Sequence, residues 1–212
     1  MYSQNKSARS SWPLTGFLLV ILAMLGFSAA VIADEVILAD GVTADGSVLL
    51  IGDKKQWDTF VDGAGASSAS GYLAVERDTD GKAIKARWNG KGEAQFFLPY
   101  VEPKDYTEHL EQNAALVILL QVESPPKKKL NLRMGCGYPC AANADISKLM
   151  KALPTGEWVR LSFDLKCFAE NGLDITKVDT PLLLSTRGKM ALSIADVRMV
   201  PGMGKEASIR CQ

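Results

Sequence analysis

The chain has 212 residues, 24 basic and 24 acidic, with one histidine and four cysteines. Zero net charge excludes the electrostatic footprint of a nucleic-acid-binding protein. A single histidine leaves little for histidine-based metal or acid-base chemistry, and no serine-nucleophile motif or phosphate-binding glycine loop occurs.

In chain order, the first element is a polar stretch with Lys6 and Arg9 and no acid, then the apolar run "LTGFLLVILAMLGFSAAVIA" and an abrupt "DEVILADG". A basic start, an apolar middle and small residues before a charged start read as a signal peptide over residues 1–33, cleaved after Ala33 or, after "SAA", at Ala30. The run of about 20 residues also suffices for an uncleaved membrane anchor. Either way, the positive charges preceding it predict export of residues 34–212. Without Lys6 and Arg9 the balance becomes 22 basic against 24 acidic residues.

From Ser47 on, short alternating runs are broken by turn residues. "YLAVERD", "KAIKARW" and "EAQFFLP", separated by Asp80-Gly81 and "NGKG", read as strand, turn, strand, turn, strand. "LVILLQV" is apolar enough for a strand buried on both faces, and "KKK" after two prolines reads as a solvated hairpin loop. "KLNLRMGC", "WVRLSFDLKCF", "TPLLLSTRG" and "MALSIADVRMV" extend the set of strands. "ADISKLMKALPTGEW" is the exception: Asp145 caps a helix, Ile146, Leu149, Met150 and Leu153 recur at helical spacing, and Pro154 ends it. "DITKV" forms a further turn. The reading is all-β, a β-sandwich jelly roll with one or two short helices and no second-domain boundary.

Cys136, Cys140, Cys167 and Cys211 all lie in the exported part, and an even number there implies two disulfides with three pairings open. The expected pairing is Cys136 with Cys140, closing a tight loop, and Cys167 with Cys211, tying the last segment to a central strand. Zinc would require paired short spacings, whereas one close pair exists and His109 stands apart in "DYTEHLEQ". A thioredoxin-type redox pair requires two intervening residues, and three intervene here. No metal or cofactor is expected, apart from a structural calcium at an edge loop such as Asp78-Thr79-Asp80-Gly81, which is equally an ordinary hairpin turn.

Alternation marks one candidate surface. Lys85 and Arg87 oppose Ile84, Ala86 and Trp88; Glu93, Gln95 and Phe97 oppose Ala94, Phe96 and Leu98; Asn131 and Arg133 oppose three apolar residues. If these strands share a sheet, Arg87, Gln95, Phe97 and Arg133 line its outer face, offering an aromatic ring and planar polar groups to a sugar. The alternative is an ordinary solvated sheet face. Tyr138, between two cysteines, is either a ligand contact or a packed ring; Trp158 is expected in the core and Trp57 is left open. Asp164, Asp174 and Asp196 read as surface or turn positions.

The order of features from Cys136 to Val200 resembles the galactose-binding-like domain at the C-terminus of ExoP-type bacterial exo-glucanases and related family 3 β-glucosidases. The resemblance rests on Cys136-x-x-x-Cys140, Asp145-Ile146, Gly156-x-Trp158, and Leu165-Lys166-Cys167-Phe168 followed by Gly172, Asp174 and Val178. "PLLLST" and "LSIADVRM" continue it, and "RWNGKGEAQFFL" matches more loosely. It implies a β-sandwich with a carbohydrate-associated role in the periplasm or outside a bacterial cell. The family's catalytic region is absent and no active-site residue carries over, so a non-catalytic module is expected; whether a separately encoded glycoside hydrolase is its partner is left open. A structural or protein-interaction domain of the envelope, without a sugar site, is the alternative.

Overall fold

The computed structural model describes residues 32–209; residues 1–31 of the expected signal peptide or anchor, and Cys211, lie outside the described residues. The strands, in chain order, are β1 (Glu35–Ala39), β2 (Val42–Thr43), β3 (Leu50–Asp53), β4 (Gln56–Phe60), β5 (Gly65–Ser67), β6 (Leu73–Arg77), β7 (Ile84–Asn89) and β8 (Ala94–Leu98). There follow β9 (Ala115–Ser124), β10 (Leu130–Gly135), β11 (Ala141–Asp145), β12 (Trp158–Asp164), β13 (Thr180–Thr186) and β14 (Lys189–Val200). Short helices α1 (Thr107–Glu111), α2 (Ser147–Ala152) and α3 (Leu165–Glu170) lie on connections.

These strands form two sheets. The eight-stranded sheet runs β12-β9-β14-β7-β6-β5, with β1 on the second half of β14 and β2 beside β1. The six-stranded sheet runs β11-β10-β13-β8-β3-β4, and all pairings named here are antiparallel. Period-two alternation puts Ile84, Ala86 and Trp88 of β7 and Leu116, Ile118 and Leu120 of β9 in the shared core with Ala94, Phe96 and Leu98 of β8 and Leu130, Leu132 and Met134 of β10. The fold is the expected β-sandwich. The indole of Trp88 donates to the carbonyl of Ala94 at 3.0 Å, so its buried N–H is met by the opposite sheet.

Several local expectations require correction. "NGKG" is no hairpin: β7 and β8 belong to different sheets, and the segment is a corner between them. The lysine run likewise joins β9 to β10 across the sandwich. "LKCF" is helix α3, not strand, because the Asp164 carboxylate accepts from the Lys166 amide at 2.9 Å and starts it. Leu165 and Phe168, one helical turn apart, then point into the core. Cys167 therefore sits on a helix after an edge strand rather than on a central strand. Trp158 is 45% exposed, because alternation along β12 sends Leu161 and Phe163 inward.

Asp145 ends β11 rather than capping α2, whose N-cap is Ile146, but its carboxylate accepts from the Ser147 amide at 3.0 Å just ahead of the helix. Cys136 and Cys140 form a disulfide with their Cα atoms 5.1 Å apart. The Asp78 carboxylate accepts from the amides of Lys82 and Ala83, closing the turn expected there. Among the described residues, no helix is long and apolar enough to cross a membrane.

Candidate carbohydrate cleft

The outer face of the six-stranded sheet carries a cleft of about 400 Å³. Register builds its floor: Arg133 of β10 pairs with Leu183 of β13, and Leu183 with Phe97 of β8. The next outward row holds Asn131, Ser185, Gln95 and Gly52. Because side chains two residues apart share a face, three strands align a guanidinium, an aliphatic chain and an aromatic ring without any loop having to position them.

One wall is β4. A Cβ on Gly52 would fall 2.1 Å from the Trp57 carbonyl oxygen, so glycine is required where β4 folds closely over β3. The Gln95 amide donates to that same oxygen at 3.0 Å and holds the wall in place. Trp57, 51% exposed, thereby stands beside the floor.

The opposite wall is the loop closed by Cys136 and Cys140. The Cys136 amide donates to the Cys140 carbonyl at 3.1 Å and the Cys140 amide to the Gly137 carbonyl at 2.7 Å. These bonds and the disulfide hold up Tyr138, which is 94% exposed, at the cleft rim. An exposed ring on so short a cross-linked loop loses little freedom on meeting a ligand. Below it, the Asp179 amide donates to the Gly135 carbonyl at 3.1 Å, and the Asp179 carboxylate occupies space that a side chain at Gly135 would fill.

Of the residues singled out in the sequence, Gln95, Phe97, Arg133 and Tyr138 meet in this cleft. Arg87 does not. It lies on β7 of the other sheet, where its guanidinium pairs with Glu76 at 2.6 Å. Trp57, Asp179 and Thr180 join the lining. The signal that points to Asp179 is Gly135, a glycine at the end of an otherwise regular strand that marks the close approach of another segment.

Chemically the cleft combines three aromatic rings with Arg133 and Asp179, and neither of those side chains makes a hydrogen bond or ion pair among the described residues. Rings that stack on the apolar side of a pyranose, next to planar polar groups for its hydroxyls, are what a sugar requires. Asp179 is the one acid among the lining residues, whereas glycoside hydrolysis uses two carboxylates across the scissile bond. Among the described residues, no cluster of three or more His, Cys, Asp or Glu side chains comes together to hold a metal. His109 is placed away from the cleft, edge-on to the Tyr106 ring at 4.9 Å, with burial lowering the pKa of its imidazole.

Comparison with known proteins agrees with this architecture. A family profile described as galactose-binding domain-like, Exop_C, matches residues 48–199. The extra C-terminal domain of the exo-1,3/1,4-beta-glucanase ExoP from a Pseudoalteromonas species superposes with a TM-score of 0.63 at 19% identity, covering 79% of this chain and 92% of that domain. Against the whole ExoP the TM-score is 0.66 at 19% identity, and the alignment spans 81% of this chain but 21% of the enzyme. The family 30 carbohydrate-binding module of a Clostridium thermocellum cellulosomal cellulase gives 0.57 at 15% identity, covering 80% of this chain and 98% of the module. At these identities the likeness is one of fold, that of carbohydrate-binding modules. No curated protein sequence matches. With a profile match across most of its length, the chain belongs to the ExoP C-terminal, galactose-binding domain-like family.

Proposed function

We propose that this protein is an exported, non-catalytic carbohydrate-binding module that holds a polysaccharide, of which β-glucan is the first class to test, in the cleft on its six-stranded sheet. The observation that carries the reading is the meeting of Trp57, Phe97 and Tyr138 with the unpaired polar groups of Arg133 and Asp179 on one preformed face. Support comes from relatives whose names describe a β-glucanase domain and a carbohydrate-binding module. Export is supported by the N-terminal charge and hydropathy pattern together with a disulfide, which oxidising compartments favour. The module works beside a separately encoded glycoside hydrolase, keeping that enzyme's polymer close by.

Affinity electrophoresis through gels containing soluble β-glucans tests the reading. Arg133→Ala is expected to migrate faster than wild type in the glucan gel and Arg87→Ala, on the other sheet, like wild type. Equal mobility of the wild type with and without every polysaccharide tried favours an envelope interaction domain instead.

A further inference from the structure

The floor of the cleft continues along β8 and β13 toward the end of the sandwich where its loops gather. Two residues from Gln95, on the same side of the chain, stands Glu93; beyond Leu183 and Ser185 comes Arg187. Four residues of strand amount to about 13 Å. There a second depression, of about 300 Å³, is lined by Lys54, Lys91, Lys128 and Arg187, with Tyr72 and Glu93. Glu93 is already engaged, accepting from Nε and Nη2 of Arg187 at 3.0 Å each. Lys54, Lys91 and Lys128 are exposed, and no ion pair of theirs occurs among the described residues. A chain with 24 basic and 24 acidic residues thus gathers uncompensated positive charge in one place.

The loops that carry Lys91 and Lys128 are each packed against a neighbouring loop. A Cβ at Gly92 would fall 2.1 Å from the Tyr72 ring, and one at Gly188 would fall 2.6 Å from the Lys128 amide nitrogen. The depression therefore has a fixed floor, with flexible ammonium groups around it. Lysines in this setting act as mobile point charges, suited to carboxylate or sulfate groups spaced along a polymer more than to one anion held in a rigid fork.

We infer that the polysaccharide is acidic, and that it runs from the aromatic cleft along β8 and β13 onto this basic end. The inference rests on the glycan reading above and adds the ligand's charge and direction to it. Uncharged sugar units stack in the cleft, while uronate or sulfate groups farther along the same chain meet Lys54, Lys91 and Lys128.

Two cellulose derivatives separate the two readings, because hydroxyethylcellulose is neutral and carboxymethylcellulose anionic on the same backbone. In affinity gels the full chain is expected to bind the carboxymethyl polymer about tenfold more tightly, the sum of three exposed charge contacts. The preference should vanish between ionic strengths of about 0.01 M and about 1 M, as the screening length shortens from about 30 Å to about 3 Å. In Lys54→Gln/Lys91→Gln/Lys128→Gln the charged polymer's retention should fall to the neutral polymer's level, at an unchanged melting temperature. Equal, salt-independent retention of both polymers by the wild type overturns the acidic-ligand inference and leaves the glycan cleft standing. A preference that survives in the triple variant also overturns it, as does retention of neither polymer, in which case the β-glucan gels decide the glycan reading.

Discussion

Phe97 and Trp57 carry the recognition argument at the scale of single residues. Phe97 is half-buried on the floor and Trp57 projects from the wall, so one ring is fixed by the sheet and the other by the Gln95 bond to its backbone. Truncating a central aromatic anchor commonly costs more than about 1 kcal/mol in binding, so Phe97→Ala is expected to weaken glycan affinity by about fivefold or more in calorimetric titration. Asp53 has the opposite kind of role. Its side chain is fully enclosed and accepts from the Ser70 and Lys55 amides at 2.7 and 2.9 Å, tying the end of β3 to the loop between β5 and β6 on the other sheet. Burial pushes its pKa up, but the hydrogen bonds from Ser68, Ser70 and Lys55 outweigh that and hold it at about 2 rather than 3.8. A carboxyl with a lowered folded-state pKa stabilises fully above its unfolded value and loses that contribution as pH falls from 3.8 toward 2. Asp53→Asn should flatten this part of the acid-unfolding profile. Asp53→Ala, which leaves two amides unmet, should lower stability at neutral pH by about 1–3 kcal/mol in urea unfolding.

Among the elements, the loop between β10 and β11 has two tasks, bracing one end of the sheet and presenting Tyr138. In the chain-entropy account a cross-linked loop of about five residues contributes about 2 kcal/mol. Cys136→Ala/Cys140→Ala is therefore expected to lower unfolding stability by up to about that amount, and to weaken glycan binding as well, since Tyr138 must then be ordered by the ligand. Unchanged affinity in this variant would mean that Tyr138 is not a contact. The strand faces bearing Gln95, Phe97 and Arg133 were legible because alternation alone determines which side chains point outward. What alternation does not determine is which sheet a strand joins. Arg87 obeys the same pattern as Phe97, yet the corner at Gly90 and Gly92 sends β7 and β8 to opposite sheets. Trp57 was equally beyond reach, since its place depends on the close approach of β4 at Gly52, a contact between segments that neither pattern contains. The helix at "LKCF" is marked in the sequence, because Asp164 before a Leu-x-x-Phe spacing is a helix-start signature that outweighs the strand pattern preceding it.

For the molecule as a whole, two sheets of antiparallel strands leave one outer face with a cleft at one end and a basic rim at the other. A rigid sheet holds the lining side chains at a fixed spacing, so the proposed glycan binding would require little reorganisation. The proposed function requires that the ligand lie on this face. Backbone amide NMR of the labelled protein, titrated with β-linked gluco-oligosaccharides, tests it most directly. The predicted result is a set of shift changes confined to Trp57, Gln95, Phe97, Arg133, Tyr138 and Asp179 and their neighbours in the six-stranded sheet. Changes centred on the outer face of the eight-stranded sheet, around Arg87 or Arg198, or no changes at all, would contradict it.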